Sequence, residues 1–470
     1  MVSFFTSPRS IFRQTSRMLD ASIRRFRMNS EVFAKLSPRE LVLRCAVPSM
    51  ITMVFGSLYS IADGLFVGRF VGEDALAAIN LVMPVITIVF AFSNMIATGS
   101  SVHISILLGG KDREGASQVF SFSILFILLL SCVLGVVGFG CAEPFVRLLA
   151  PGATEQAIQY SIEYLRVYAI FAPLLLVFYA TDNYLRVCSK EKLSMAIGIA
   201  TQILNVVLDI LLIAVLRQGV RAAALASCLS MSAGSLITLF LFAGKRLDLY
   251  YTTARISWRK FLRILANGSS EFFSNIASSI LSLVMNLVLL RYGGTTAVAA
   301  FSVVMYVDGI VGMLIFGLCE AMQPAISYCY GAQMLEKVKA LFRCVLFGAI
   351  FFSLLSMLFM LFAGRYVAPL FIAPENKELL AVSINAMKIF SFSYLVGWAD
   401  SCFSSFFTAL ERPARSFIVS LFGTLIFPIL FLLLLSVKFG LDGVWLAPTV
   451  AGFASGILTL GLAVTVNPKR

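Results

Sequence analysis

AAINLVMPV, residues Ala77–Val85, lies over AAFSVVMYV, residues Ala299–Val307, at a separation of 222 residues and with five identities in nine positions. Other pairs follow the same shift, the last with a slip of one residue: Arg69 and Arg291, Gly72 and Gly294, Ala150-Pro151 and Ala373-Pro374. Shared apolar composition could imitate a short match, but it would not make separate pairs agree on one shift. The sequence therefore predicts one structural unit used twice.

The composition places both units in a membrane. Of the 470 residues, 59% are hydrophobic and 13% are charged, and the mean hydropathy is +0.92. Soluble domains contain about 45–50% apolar and about 25% charged residues, so this chain has too little charge to cover a surface that faces water. That excludes a soluble enzyme, a nucleic-acid-binding module and a disordered scaffold. The nine cysteines form no CxxC pair and His103 is the only histidine, so neither a disulfide framework nor a structural metal site is expected.

Twelve apolar stretches approach the length of about 20 residues that a membrane-spanning helix needs. They lie near residues 43–67, 76–101, 117–140, 160–184, 193–215, 222–243, 262–289, 297–327, 341–363, 383–408, 416–436 and 443–465. Six crossings return the chain to its starting side, so two six-helix units have the same orientation. We predict an all-α integral membrane protein with twelve transmembrane helices in two six-helix lobes, related by a pseudo-two-fold axis along the membrane normal. Parallel repeats of this kind place a substrate cavity between the lobes.

The repeat also divides the chain into parts. These are an N-terminal tail or interfacial helix (1–40), an N-lobe (41–245), a linker (246–261), a C-lobe (262–465) and a C-terminal tail (466–470). A basic helix at the membrane surface and a disordered basic tail are both compatible with the first 40 residues.

The basic residues orient the protein in the membrane. The net charge is +13, and 27 of the 37 Lys and Arg residues fall on the side of the two termini and the loops around 111, 190, 250, 337 and 412. The positive-inside rule places that side in the cytoplasm. We expect a multi-pass protein of the bacterial plasma membrane, with both termini cytoplasmic. Membrane lipid and small molecules are the expected partners, nucleic acid is not, and a monomer is expected.

Seven acidic residues interrupt the apolar stretches. A charge at the centre of the hydrocarbon costs about 2.5–3.5 kcal/mol on insertion scales, which makes such acids candidates for function. The structural alternative is a carboxyl group hydrogen-bonded between helices. The seven are Asp63, Asp182, Asp209, Glu271, Asp308, Glu320 and Asp400.

Polar residues share a helix face with two of these acids. On the fifth helix, Gln202 and Asn205 lie on the stripe of Asp209. On the seventh, a longer stripe surrounds Glu271, formed by Asn267, Asn275, Ser278 or Ser279, Ser282 and Asn286. Neither stripe suits lipid, and Tyr59 adds an aromatic hydroxyl one turn before Asp63. A cavity lined by carboxylates, amides, hydroxyls and aromatic rings favours organic cations.

Four segments carry a family resemblance. They are ADGLFVGRFVGEDALAAINLVMPV (Ala62–Val85), NVVLDILLI (Asn205–Ile213), GVRAAALAS (Gly219–Ser227) and AMQPAISYCYGAQ (Ala321–Gln333). In this order and spacing the chain resembles the multidrug and toxic compound extrusion (MATE) family from about residue 40 to 465, and most of all its bacterial, MepA-like branch.

The resemblance implies a twelve-helix exporter that expels cationic amphipathic compounds in exchange for H⁺ or Na⁺ and uses no cofactor. It implies an N-lobe ion site at Asp63, Asn205 and Asp209, with Ser227 where a threonine is usual. In the C-lobe, Glu271 and Asp400 match acids used by other members. The candidates for the substrate site or a C-lobe ion site are these two acids together with Gln202, Tyr59 and Asn275. Departures from the family pattern lie at Ala222 and at 187–189, and no role transfers to Asp182, Asp308 and Glu320.

Two other functions would require different residues in the membrane. A flippase for pyrophosphate-bearing lipid precursors would want basic side chains deep in the cavity, where this chain has acids. An intramembrane transferase with metal-bound aspartates would need acids at i and i+4 on a membrane helix, and none is present. The sequence thus favours a transporter over an enzyme and leaves the coupling ion open.

Overall fold

The structure, a computed structural model, describes residues 30–149, 154–244, 247–254, 256–370, 372 and 376–464. Helices are the only regular elements in this part of the chain. The predictions for the basic tail before residue 30 and for residues 466–470 fall outside it. The first long helix begins at Pro38, inside the segment predicted as a tail. Ser37 and Glu40 cap it reciprocally, and the proline occupies the first turn, where its missing N–H costs nothing.

In the described residues, ten helices are long and apolar enough to cross a membrane. Two of them break at a glycine with positive φ, Gly294 and Gly440, so together they contain twelve transmembrane helices. These are α1 (Pro38–Phe70), α2 (Glu73–Gly109), α3 (Arg113–Gly140), α4 (Glu155–Val187), α5 (Glu191–Asp209, continued by the π-helix Ile210–Val215), α6 (Val220–Ala243), α7 (258–293), α8 (295–331), α9 (Leu335–Val367), α10 (Lys377–Phe390 and Tyr394–Ala409, joined by the 3₁₀ turn Ser391–Ser393), α11 (Pro413–Leu421, the π-helix Phe422–Ile426 and 427–439) and α12 (441–464).

Three short helices complete the description. They are Val32–Lys35 before α1, Ala142–Leu149 between α3 and α4, and the 3₁₀ turn Ala368–Leu370 after α9. The connections α2–α3, α4–α5, α6–α7, α8–α9 and α10–α11 lie at one end of the helices, which we call the basic face. The remaining connections lie at the opposite face.

The internal repeat is visible in the backbone. Helices α3, α4 and α5 begin 222 residues before α9, α10 and α11 respectively. Residues with positive φ recur at the same separation: Gly72 and Gly294, Lys111 and Gln333, Ser189 and Glu411. The last two pairs stand just after helix ends: Lys111 after α2 and Gln333 after α8, Ser189 after α4 and Glu411 after α10. In each case the backbone N–H of the following residue bonds to a carbonyl five residues earlier, as in a Schellman C-cap. The helices extend beyond the apolar stretches predicted from the sequence. Their ends are set by these caps and not by the edge of the hydrocarbon.

The lobes meet closely at the basic face. A Cβ added at Gly99 of α2 would lie 2.0 Å from a carbonyl oxygen of α7, and one at Gly268 of α7 would lie 1.8 Å from a carbonyl oxygen of α2. Only glycine permits backbones to approach this closely. Nearby, Nδ1 of His103 lies 2.6 Å from Oε1 of Glu411, which joins α2 to the α10–α11 connection.

Residues 30–37 pack across the same face. The ring of Phe33 is buried and meets Tyr328 of α8 edge to face, with centroids 5.6 Å apart. The Lys337 ammonium donates to two backbone carbonyls of the segment, at 2.8 and 2.6 Å. A backbone N–H of the segment donates to Asp248 of the α6–α7 connection at 2.6 Å. The segment therefore bridges the C-lobe and the connection between the lobes.

Candidate functional site

A carboxyl pair lies inside the N-lobe. Asp63 on α1 and Asp209 on α5 interact electrostatically, and Oδ1 of each carboxyl group is buried without a hydrogen-bond partner among the described residues. Asp209 is fully buried. Two adjacent carboxylates repel each other in a medium of low dielectric, and a carboxyl group can donate a hydrogen bond only when it is protonated. A proton or a metal ion held by the two groups would relieve their repulsion.

An amide and two hydroxyls complete this N-lobe cluster. Asn205 satisfies the most partners when its amide nitrogen donates to Asp209 Oδ2 at 2.7 Å. Its oxygen then accepts from the backbone N–H of Ser227 at 3.0 Å and from the hydroxyl of Tyr59 at 3.3 Å. Tyr59 and Ser227 also share a hydrogen bond of 3.1 Å. These contacts tie α1, α5 and α6 together around the carboxyl pair.

Each lobe has a π-helix beside an aspartate. In the N-lobe, α5 becomes a π-helix directly after Asp209. In the C-lobe, the π-helix of α11 contains Gly423, where an added Cβ would lie 2.5 Å from Oδ2 of Asp400. Single π turns inside α-helices occur often at functional sites. The local backbone therefore marks both aspartates independently of their charge.

A central cavity of about 670 Å³ separates the lobes. This volume lies within the range of about 300–1,000 Å³ typical of sites for small molecules. The N-lobe contributes Met53 of α1 and residues of α2 and α4, and the C-lobe contributes residues of α7, α8 and Ser401 of α10. Four acids line the cavity: Asp182, Glu271, Asp308 and Glu320. Thr98, the residue before Gly99, and Glu271, three residues after Gly268, also line the cavity. The close glycine contact therefore lies next to the cavity wall.

One of these four acids is neutralised by a neighbour. Arg186 lies one turn after Asp182 on α4, and its guanidinium is 2.5 Å from the Asp182 carboxylate. Ser194 of α5 donates to the same carboxylate. Arg186 also interacts electrostatically with Glu320 across the lobe interface. It is the one basic residue among the described residues that line the cavity.

The other three acids keep no basic partner within 4 Å among the described residues. Glu320 accepts from Gln323 at 2.5 Å and interacts electrostatically with Glu271. Asp308 accepts from the Tyr394 hydroxyl at 2.6 Å. The C-lobe side of the cavity thus carries three carboxyl groups, whereas the N-lobe side carries one that is paired with an arginine. This excess of carboxyl groups favours a cationic cargo.

A second cavity, of about 370 Å³, lies within the C-lobe. Asp400 lines it and accepts from Ser455 at 2.5 Å and from Thr459 at 3.4 Å, both on α12. Asp308, Gly312 and Ser401 line both cavities. Glu271 and Asp400, which the resemblance pairs, therefore lie on different cavities with a shared wall.

Three further candidates are placed as follows. Tyr59 belongs to the N-lobe cluster, although the sequence predicts it as a residue of the substrate site or a C-lobe ion site. Gln202 lies a turn away from that cluster, with its amide nitrogen 3.5 Å from the carbonyl of Thr52 on α1. Asn275 lines the central cavity and donates to the carbonyl of Glu271 at 2.7 Å.

Sequence reasoning missed several partners of the acids. Arg186 was not singled out, although its spacing of four residues from Asp182 on one helix is a recognisable signal. Tyr394 and Ser455 gave no signal, because they reach Asp308 and Asp400 from other helices. The residues of the polar stripe on α7 do not all face one site. Asn267 donates to the Thr408 carbonyl at 3.0 Å and packs against α10, whereas Glu271 and Asn275 line the cavity.

Comparison with known proteins identifies the family. A family model described as MatE matches residues 48–211 and 272–434, once in each half of the chain. The chain belongs to the MatE family. The resemblance to multidrug and toxic compound extrusion proteins is confirmed, and the double match follows the repeat seen in the backbone.

Relatives of this MatE protein match almost end to end. The multidrug export protein MepA of Staphylococcus haemolyticus is 26% identical over 438 residues, which cover 92% of this chain and 95% of that protein. MepA of Staphylococcus aureus (strain NCTC 8325 / PS 47) is 26% identical over 419 residues, 88% of this chain and 90% of that protein. A crystal structure of MATE in complex with MaL6 has a TM-score of 0.87 and 25% identity, and the match covers 93% of this chain and 98% of that one.

These matches confirm the predicted fold class, with twelve helices in two lobes. They also confirm that the chain is a membrane transporter and not an enzyme.

Proposed function

We propose that this MatE protein exports cationic amphipathic compounds in exchange for an entering ion. The observation that carries the proposal is the central cavity between the lobes, in which Glu271, Asp308 and Glu320 have no basic partner within 4 Å among the described residues. A cationic group gains charge attraction there, and the aromatic rings of Tyr179 and Phe316 add cation–π and apolar contacts. The names of the MepA relatives, multidrug export proteins, support the export of drugs in general.

The coupling ion in this proposal binds at Asp63 and Asp209, assisted by Asn205, Ser227 and Tyr59. A proton held by the two carboxyl groups would relieve their mutual repulsion, and a sodium ion is the alternative that the experiment must separate. We assign the drug to the central cavity, with Asn275 and Asp182 on its wall. Asp400 forms a secondary site in the C-lobe, and Gln202 supports the packing of α1 on α5.

Exchange follows from linkage between the two sites. If ion binding lowers the affinity for the drug, the drug must lower the affinity for the ion by the same factor. The close contact at Gly99 and Gly268 closes the cavity toward the basic face. We propose that this face is cytoplasmic, as the distribution of basic residues predicts, so the structure represents a state closed to the cytoplasm. Rocking of the two lobes about the cavity would then expose it to the other side.

The membrane contributes to the driving force. An entering monovalent cation gains about 2.3 kcal/mol per 100 mV of membrane potential, and its concentration gradient adds to this. We further propose a monomer in the bacterial inner membrane, with lobe limits at 41–245 and 262–465.

A flippase for anionic lipid precursors fits the cavity less well. Arg186, the basic residue that lines it, is already bound to Asp182 at 2.5 Å. An anionic headgroup would therefore meet three carboxyl groups that have no basic partner within 4 Å among the described residues.

The experiment is efflux of a fluorescent cationic dye from liposomes that contain the purified protein. A pH gradient and a sodium gradient are imposed separately. We expect efflux under the pH gradient, and Asp209→Asn should abolish it. Asp442→Asn, which changes an exposed acid far from the cluster, is the matched control and should leave efflux intact. Efflux under neither gradient, or unchanged efflux by Asp209→Asn, would contradict the proposal, and efflux under sodium alone would assign the coupling to Na⁺.

A further inference from the structure

An aromatic groove on the C-lobe lies apart from the transport site, near the basic face. Its volume is about 220 Å³, and the ends of α8, α10 and α12 and the beginning of α9 form its walls. This volume is below the range of about 300–1,000 Å³ that drug-sized ligands occupy. The groove therefore suits a narrow segment such as part of an alkyl chain.

The walls of the groove are aromatic and well packed. Phe342 of α9 stacks on Phe406 of α10 with ring centroids 3.9 Å apart, and meets Phe403 edge to face at 5.2 Å. Phe403 is buried beneath them, and Ala463 of α12 contributes a small side chain to the wall. A largely apolar groove between membrane helices accepts hydrocarbon more readily than a polar molecule.

The rim of the groove is basic. Lys339 and Arg343 lie four residues apart on α9 and both are exposed. The Lys339 ammonium contacts Glu336 at 2.8 Å, whereas the Arg343 guanidinium has no ion pair with a described residue. The rim thus keeps a net positive charge after Glu336 is counted. Arginine binds phosphate oxygens in a bidentate manner, and basic pockets between membrane helices bind anionic lipid headgroups.

We propose that this groove binds one anionic phospholipid from the leaflet at the basic face. Its phosphate contacts Lys339 and Arg343, and part of an acyl chain lies along Phe342 and Phe406. Charge complementarity at the rim selects the anionic lipid, because the apolar walls alone would accept a chain from any lipid. The inference does not depend on the coupling ion or on the exported compound.

The test is native mass spectrometry of the purified full chain titrated with phosphatidylglycerol or with phosphatidylcholine. We expect one phosphatidylglycerol to bind more tightly than phosphatidylcholine. The double variant K339Q/R343Q should bind it about thirtyfold more weakly, because each of the two basic residues near a membrane contributes on the order of 1 kcal/mol to anionic lipid binding. The matched control is R259Q/R263Q, which removes two exposed basic residues with the same spacing at the start of α7.

Two further arms separate the alternatives. Ala463→Trp fills the groove and leaves the rim charges in place, and should also weaken binding of phosphatidylglycerol. Glycerol 3-phosphate, a headgroup without a chain, should not compete. Equal losses in K339Q/R343Q and R259Q/R263Q would reduce the effect to general surface charge and overturn the proposal. Undiminished binding by K339Q/R343Q, or full competition by glycerol 3-phosphate, would also overturn it.

Discussion

Gly109 of α2 and Gly331 of α8 occupy equivalent positions in the two halves and pack against each other's helices. A Cβ added at either glycine would lie 2.1 Å from a carbonyl oxygen of the opposite helix, that of Tyr328 for Gly109 and that of Ile106 for Gly331. Ile106 and Tyr328 are themselves 222 residues apart. The lobes therefore close at the basic face through two copies of one contact.

Gly331→Ala should weaken this closure. The added methyl group must displace backbone, and overpacking of this kind costs about 1–3 kcal/mol. We expect a lower unfolding midpoint of the purified protein and faster hydrogen exchange at the end of α8. Gly461→Ala on α12, where an added Cβ meets nothing within 4 Å, is the control. Equal midpoints for the two variants would show that the contact does not hold the lobes together.

The carboxyl pair should behave as one unit. If Asp63 and Asp209 bind the coupling ion together, as proposed, each single change to asparagine should abolish coupled efflux, and the double variant should be no worse than either single variant. Groups that act together give non-additive effects of this kind. Dye efflux from liposomes under a pH gradient measures all three variants. Independent, additive losses would place the two residues in separate steps.

Glu320 should contribute to drug affinity without carrying the ion. Glu320→Gln keeps the hydrogen-bonding shape and removes a carboxylate, so we expect binding of a cationic dye to weaken about three- to tenfold, while a neutral dye is unaffected. Fluorescence titration at constant pH provides the measurement. Glu378→Gln, at an exposed acid in the first turn of α10, is the matched control. A loss of the same size for the neutral dye would mean that the cavity had changed shape.

The Asp182–Arg186 pair should matter for stability more than for charge recognition. Arg186→Gln leaves a mostly buried carboxylate without its cation, and breaking a buried pair costs about 3–5 kcal/mol. Asp182 retains 26% of its side-chain exposure, so the loss should fall at or below the lower end of that range. The double variant Asp182→Asn/Arg186→Gln should recover much of the unfolding midpoint. If the double variant is less stable than Arg186→Gln alone, the pair does not act by mutual neutralisation.

The sequence predicted the parts of this structure that are local or repeated. The 222-residue shift seen at Gly72 and Gly294 reappears as equal backbone conformations and equal helix starts. The stripe of Asn205 and Asp209 could be predicted from helical spacing alone. Its meeting with Asp63 came only from the family resemblance, because α1 and α5 are joined by tertiary packing.

What escaped prediction depends on contacts between helices. The distance between the Tyr394 hydroxyl and Asp308 is fixed by how α10 packs on α8, and no periodicity records it. The separation of Glu271 from Asp400 into two cavities has the same origin. Arg186 was the avoidable omission, since its partner lies one turn away on the same helix.

The wall shared by the two cavities is thin. One turn of α8, from Asp308 to Gly312, and Ser401 of α10 border both spaces. A molecule that fills the larger cavity would thus have the smaller one behind a wall that includes the Asp308 side chain, and rotation of that carboxyl group away from Tyr394 would reshape the wall. The size of the cargo that fits the proposed site would then depend on the Asp308 rotamer as well as on the spacing of the helices.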